Sequence, residues 1–273
     1  AVTTREILEL MSNHITEVMS KAIVENSPDM VFLSRQGYFT EFAIKYKNRL
    51  PVVGWNVDVR YDPMSSWSGI HDLIKNCSHW FTIAGGNIIW YRENLNKNTY
   101  WLSEGCDPTC HRPPTDQEFK KCQEDGMVYM FSHCPISFAG SLDKYHVGPP
   151  NRMSVISTIE KKYKLSTWGS SRNYLVNMMH SMMCYCSQIN IGHSGWPLVA
   201  LSHSARDYRV MGAMGFLLTN HVKNIEMLFT PGKHFDTYNT VEECMEKIAF
   251  YLDNVKVRSD IAREGAKLVH AEH

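Results

Sequence analysis

The sequence lacks a surplus of charge of either sign: 28 Lys and Arg stand against 28 Asp and Glu, a formal net charge of +0. A chain so balanced is neither a globally basic nucleic-acid binder nor an acidic solvating chain, so any anionic ligand has to be met by a local cluster. It also lacks a long hydrophobic run. The stretch Val210–Leu218 is interrupted by Gly212 and Gly215 and falls far short of the roughly 20 residues of a membrane helix. The opening residues AVTTREILEL lack the charged-then-apolar order of a signal peptide. Cysteines are present at Cys77, Cys106, Cys110, Cys122, Cys134, Cys184, Cys186 and Cys244, but without the dense spacing of a disulfide-built secreted domain, and they read as reduced. Low-complexity tracts and repeats at a fixed period are missing too. These absences predict a soluble, cytoplasmic protein, and 273 residues suffice for two ordinary domains.

What is there is an alternation of helix-like and strand-like segments. Ile7, Leu10, Met11, Ile15, Val18, Met19 and Ala22 keep helical spacing, and SPDMVFLS then supplies a turn and a short apolar strand. Helices near 40–48, 67–76 and 87–95 lead to the strands LPVVGWNV, HWFTIA and TYWLS. After the polar stretch CDPTCHRPPTDQEFKKCQEDG the alternation resumes with MVYMF and PISFAGS. A helix from about 151, KLSTWG, a helix over 173–185, QINIG, FLLT and a helical C-terminus follow. Alternation at this spacing predicts parallel sheets covered on both faces. The polar break predicts two Rossmann-like, doubly wound domains, 1–125 and 126–273, facing each other across a cleft that their strand-end loops line.

PDMVFLS, VVGWNVD, WLSEGCDP, ISFAGS, SARDYRVMGAMGFLLTN, PGKHFDTYNTVEECMEKIAFYLDN and REGAKLVHAEH, in that order, resemble the successive blocks of the spore-maturation-protein type of glycosyltransferase, within the group-1-like enzymes of GT-B fold. The resemblance covers most of the chain and is densest over 186–273. It implies a hexosyltransferase whose C-terminal domain holds a UDP- or GDP-sugar and whose N-terminal domain holds the acceptor. No cofactor and no catalytic metal are implied, and the anomeric configuration is retained. The chain departs from the pattern twice. A first strand and glycine loop are missing or reduced, so the N-terminal domain is a reduced one. Where the family's Ser-x-Arg-x-aromatic-Glu block has its ribose-binding glutamate, this chain has Arg209.

Chemistry gives the same segments a role. A departing nucleoside diphosphate accumulates negative charge, which cationic side chains and helix N-termini stabilise in the absence of a metal. Arg206 is the candidate for that catalytic role. Donor-site candidates beside it are Tyr208, Arg209, the strand-end pair Gly140 and Ser141, Arg152 at the start of the next helix, and His193 between glycines. Glu226 is placed to supply the ribose contact that Arg209 does not. Arg206 and Arg209, three residues apart, are expected on one exposed helical face. In the first domain Asp58 follows a strand and is the candidate to orient or deprotonate the acceptor hydroxyl. Gly37, Tyr38 and Trp55 line the expected acceptor pocket. A turn cap for Asp58, a solvated first-turn role for Arg152 and plain loop packing for Trp196 are the ordinary alternatives. CDPTCH has no second ligand pair to complete a zinc site. The acceptor is a glycan, a protein or a modified DNA base, although residues 1–125 hold 13 Lys and Arg against 16 Asp and Glu, a balance that does not suit duplex binding. A nucleotide-sugar binder without turnover and a nucleotide-sugar epimerase are the alternatives.

Overall fold

The computed structural model describes residues 4–34, 37–57, 70–142, 148–169 and 175–273, with the side chains of 4–9 and 37 excepted. It divides into two compact units. One is Ala1–Ser103 with Val199–Leu201, and the other is Glu104–Leu198 with Ser202–His273.

The first unit runs α1 (Thr4–Asn26), β1 (Val31–Ser34), α2 (Thr40–Tyr46), β2 (Val52–Asn56), α3 (Ile70–Asn76), β3 (His79–Thr82), α4 (Ile88–Asn94) and β4 (Thr99–Trp101). The strands lie side by side in chain order, β1-β2-β3-β4, and every pair is parallel. Each of β1, β2 and β3 is followed by a helical crossover to the next strand, so the sheet is wound in one direction without reversal. Leu33, Phe42, Val52, Leu73, Ile74 and Trp80 form its core. Gly54 of β2 is opposite Trp80 of β3, and a Cβ there would come within 2.3 Å of the Trp80 ring and 3.1 Å of Cys77 Sγ. Both neighbours are buried. Overpacking of this kind costs about 1–3 kcal/mol, so Gly54→Ala is expected to lower the thermal midpoint of this unit. An unchanged midpoint in scanning calorimetry would show that the Trp80 ring can move aside.

The second unit opens with α5 (Asp116–Glu124) and α6 (Met127–Ser132), then β5 (Ile136–Ala139), α7 (Arg152–Lys162), β6 (Leu165–Trp168), α8 (Asn177–Cys186), β7 (Ile189–Ile191), α9 (Ala205–Gly212), β8 (Leu217–Asn220), β9 (Asp236–Tyr238), α10 (Val241–Asp253) and α11 (Val255–Glu272). All strand pairs are parallel, and the order is β6-β5-β7-β8-β9. Ile136, Phe138, Ile189, Ile191 and Leu218 build one face of the core, and Leu217, Met182, Met211 and Phe229 the other. The chain leaves β5 toward β6 on one side and returns to β7 on the other. The topological switch point therefore lies between the C-terminal ends of β5 and β7.

Three expectations are corrected. Residues 104–125 belong with the second unit. Cys106 N donates to His273 O at 3.3 Å, Ser181 Oγ donates to Cys110 O at 2.6 Å, and the Phe119 ring meets Tyr185 edge-on. Within that stretch α5 carries a complete capping box, Thr115 with Glu118. Arg112 grips Glu118 in a bidentate pair at 2.8 and 2.9 Å, and its hydrogen bonds pull the Glu118 carboxyl down to about 2. MVYMF is helical. Gly126, at φ 74°, starts the helix in a left-handed conformation, and the segment buries only Phe131 while Tyr129 is 72 % exposed. The segment FDTYNT, within the stretch expected to be only helical C-terminus, provides the edge strand β9.

Candidate functional site

The switch point collects five of the donor-site candidates, Gly140, Ser141, Arg152, His193 and Arg206. β5 ends at Ala139 and is followed by Gly140 and Ser141. β7 ends at Ile191 and is followed by Gly192, His193 and Ser194. Two helices start beside these loops, each with a side-chain cap: Asn151 accepts from Ser154 N at the head of α7, and Ser204 accepts from Arg206 N at the head of α9. Uncapped first-turn N–H groups and the helix dipoles give such a place a positive potential.

Two guanidinium groups dominate it, both over the Phe138 ring, at 5.7 Å for Arg152 and 5.1 Å for Arg206. Arg152 is 3 % exposed. It donates to Ser141 O at 2.7 Å and to His193 O at 2.6 Å, so it ties the two loops together instead of standing solvated on a first turn. Arg206 is half-buried, which corrects the expectation of a fully exposed arginine. Its Nε donates to Ala139 O and its Nη1 to His193 O at 3.5 Å. Burial pulls its pKa below the ordinary value, with Asp207 pushing the other way. Among the described residues Arg206 forms no ion pair. Its Nη2 makes no hydrogen bond to a described residue and is not sealed from solvent. A cation stripped of much of its water, with carbonyls as its only hydrogen-bond partners among the described residues, still favours an anion.

Gly140 has a different task from the expected one. Its N–H is already taken by Trp168 O at 2.8 Å and does not face a phosphate. A Cβ on it would come within 2.3 Å of Arg206 Nη2, so the glycine makes room for the guanidinium. Gly169, at φ 97°, leaves similar room: a Cβ on it would stand 3.1 Å from Gly140 N. His193 is 0 % exposed and its Nε2 meets Pro150 O at 2.7 Å, contrary to the expectation that it stands outside the core. The ring buttresses the approach to α7. Tyr208 is a core residue as well. Its hydroxyl meets His203 Nε2 at 3.1 Å, and its ring lies against Phe229 and His273.

Arg209, one turn beyond Arg206, is exposed and faces the 106–111 loop. Its charge helps to depress the imidazoles of His111 and of His180, the latter to about 3, although burial is the larger cause for both. Glu226, in a 3-10 turn after β8 (Ile225–Met227), is paired with His221 Nε2 at 2.6 Å and its side chain is 54 % exposed. That bond holds its carboxyl below the usual range, so it is ionised and open.

Sequence reasoning missed four contributors. Asn220, at the end of β8, accepts from Ser194 N at 2.7 Å and donates to Ser194 O at 3.0 Å. Tyr238, at the end of β9, donates to Gly192 O at 3.0 Å. Thr219 approaches Gly192 so closely that a Cβ on the glycine would sit 2.5 Å from Thr219 Oγ1. His180 borders the same cationic surface. An Asn as the last residue of a buried parallel strand is the one signal that could have been read.

In the first unit Tyr38 lies in a 3-10 turn (Gly37–Phe39) that also contains Gly37, and its carbonyl accepts from Ser12 Oγ at 2.8 Å. Trp55, in β2, is half-buried and donates to Leu102 O at 3.2 Å. Asp58 lies outside the described residues. All eight cysteines are free. Among the described residues no three His, Cys, Asp or Glu side chains gather as a metal site, and no helix is long and apolar enough to cross a membrane.

Residues 156–273 match a family model described as glycosyl transferase-like. No curated protein matches the chain in sequence. Solved structures resemble it at low identity. Sucrose-phosphate synthase from Thermosynechococcus elongatus superposes with a TM-score of 0.66 at 9 % identity, covering 99 % of this chain and 76 % of that one. Anabaena HepE in complex with UDP-glucose gives 0.66 at 10 %, covering 94 % and 77 %. UDP-GlcNAc 2-epimerase from Methanocaldococcus jannaschii gives 0.52 at 11 %, covering 99 % and 83 %. The fold is thus α/β of the GT-B kind, with two Rossmann-like parallel-sheet units.

Proposed function

We propose that the chain is a glycosyltransferase that moves a sugar from a nucleoside-diphosphate donor to an acceptor hydroxyl. The observation that carries this is Arg206 Nη2, open and without an acid partner at the switch point of a parallel sheet, where such folds hold ligands. The glycosyl transferase-like match over 156–273 and the UDP-glucose-bound HepE likeness support a UDP-sugar as donor. The order of the sequence blocks supports the spore-maturation type within that broader class.

In the reaction the bond from the anomeric carbon to the β-phosphate oxygen breaks, and a bond from that carbon to the acceptor oxygen forms. The acceptor proton passes to the Asp58 carboxylate, and the nucleoside diphosphate departs with the electron pair. Arg206 and the α7 and α9 N-termini take the growing phosphate charge without a metal. Glu226 accepts from the ribose hydroxyls. Asp58, from the first unit with Gly37, Tyr38 and Trp55, orients the acceptor, and Asp58→Asn is expected to lower transfer by ~10²-fold at nearly unchanged donor affinity. The acceptor is a glycan, a protein or a modified DNA base, configuration is retained, and the reaction belongs in the cytoplasm.

The test is release of free nucleotide from a panel of UDP-, GDP- and ADP-sugars, with and without acceptors and with and without chelator. Acceptor-dependent release that survives chelation supports the proposal. Epimerisation of UDP-GlcNAc without acceptor supports the second reading, an epimerase, for which the 2-epimerase likeness speaks. Binding without either reaction leaves a nucleotide-sugar receptor, and strict dependence on a divalent ion removes the role given to Arg206.

A further inference from the structure

A cavity opens at the opposite edge of the same sheet from the switch point. It encloses about 430 Å³ and lies where Ser187 and Gln188 enter β7, Met214 and Phe216 enter β8, and the first turns of α11 pass over them. This is the N-terminal edge of the strands, whereas Arg206 stands at their C-terminal ends.

Arg258 lines the cavity and is only 9 % exposed. One of its donors, Nη1, is fixed on Tyr251 O. The Tyr251 hydroxyl in turn donates to Asp236 Oδ2 at 2.7 Å, and Asp236 is held by Lys247. The Tyr251 ring packs on Phe216 at 4.4 Å. Arg258 is therefore held in place through its neighbour's carbonyl, yet among the described residues no carboxylate reaches its guanidinium. Among the described residues Nε and Nη2 make no hydrogen bond, and neither is sealed off, so they are free at the cavity that Arg258 lines. Burial depresses its pKa and no neighbouring charge offsets that loss. A buried guanidinium without a counter-charge is costly, and the free Nε–Nη2 edge is a fork shaped for two anionic oxygens.

Arg263, also lining the cavity, puts a second cation at the rim, where it shares its charge with Asp260 at 2.9 Å. Two arginines favour a dianion over a monoanion. Met214, Phe216 and Tyr185 supply an apolar wall, and the volume falls within the range of small-molecule sites. We infer that this cavity is a second binding site, separate from the Arg206 site, for a small phosphate monoester whose phosphate sits on the Arg258 fork and whose organic body lies against the apolar wall.

The test is calorimetric titration of phenyl phosphate into the full chain bearing Arg206→Ala, so that phosphate binding at the switch point is weakened and the Arg258 and Arg263 variants report on the cavity. Saturable binding is expected, together with none for benzyl alcohol at equal ionic strength. Adding Arg258→Met is expected to weaken phenyl phosphate by roughly 10- to 100-fold, and adding Arg263→Gln by a smaller factor. Arg263 is exposed, so Arg263→Gln decides the matter if Arg258→Met loses its fold by circular dichroism. No binding to the Arg206→Ala protein overturns the inference, and so does unchanged affinity in whichever of the two variants is folded. A failure of the Arg206 assignment would show instead as unchanged UDP-glucose affinity in the Arg206→Ala protein.

Discussion

Arg206→Ala is expected to weaken binding of a UDP-sugar by ~10- to 100-fold, the equivalent of one charge-assisted hydrogen bond of about 1.5–3 kcal/mol. Turnover should fall further than affinity, because the phosphate charge is larger in the transition state than in the bound donor. Folding should suffer little. His193 O keeps its bond from Arg152 at 2.6 Å, and Ala139 O stands beside Gly140, which leaves space for water once the guanidinium is gone. Titration of donor into the variant checks the first part and single-turnover kinetics the second. Unchanged affinity would remove the site from the switch point.

The neighbouring arginine should behave in the opposite way. Arg152→Met keeps an apolar stem over Phe138 but deletes the donors to Ser141 O and His193 O. Lost bonds to a charged, buried group sum to about 3–5 kcal/mol, which for a unit of this size lowers the melting temperature by about 10 °C or more. Donor affinity should fall with it, as the loops after β5 and β7 are no longer tied. A melting temperature within about 2 °C of the parent would mean that water replaces the guanidinium, and Arg152 would then count as a ligand residue instead of a structural one. Comparing the two variants separates a charge that serves the fold from one that serves the ligand.

That distinction was not legible in the sequence. The alternation of helix and strand was, because a parallel sheet covered on both faces leaves an apolar run at every strand: VFLS, VVGWN, HWFT, ISFA, INI and LLTN are all strands. MVYMF was misread because five residues are too few to separate a period of 2 from one of 3.6. β9 was missed because its residues, Asp236, Thr237 and Tyr238, are mostly polar. They are buried through specific bonds, such as Asp236 with Tyr251 and Lys247. The position of the site followed from strand order, which no local pattern encodes. Arg206 could be named because a cation just after a helix cap is chemically conspicuous. The burial of His193 and Tyr208 could not, since each is set by a partner far along the chain or by packing across helices.

The loop after β7 shows what the fold does in advance of any ligand. Gly192 N bonds Leu218 O, Gly192 O accepts from Tyr238, His193 O from two arginines, and Ser194 is clasped at both N and O by Asn220. A free loop would give up about 1–2 kcal/mol of backbone entropy per residue on closing around a donor. Here that loss of freedom is already part of folding, so the encounter with a nucleotide involves no ordering of this segment and its binding energy is left for the groups that touch phosphate. The corresponding cost is evolutionary. A loop whose path is dictated by side chains on four other elements, α7, α9, β8 and β9, changes shape only when several of them change together, so under the proposed function variation in donor preference falls to open positions such as Arg209 and Glu226.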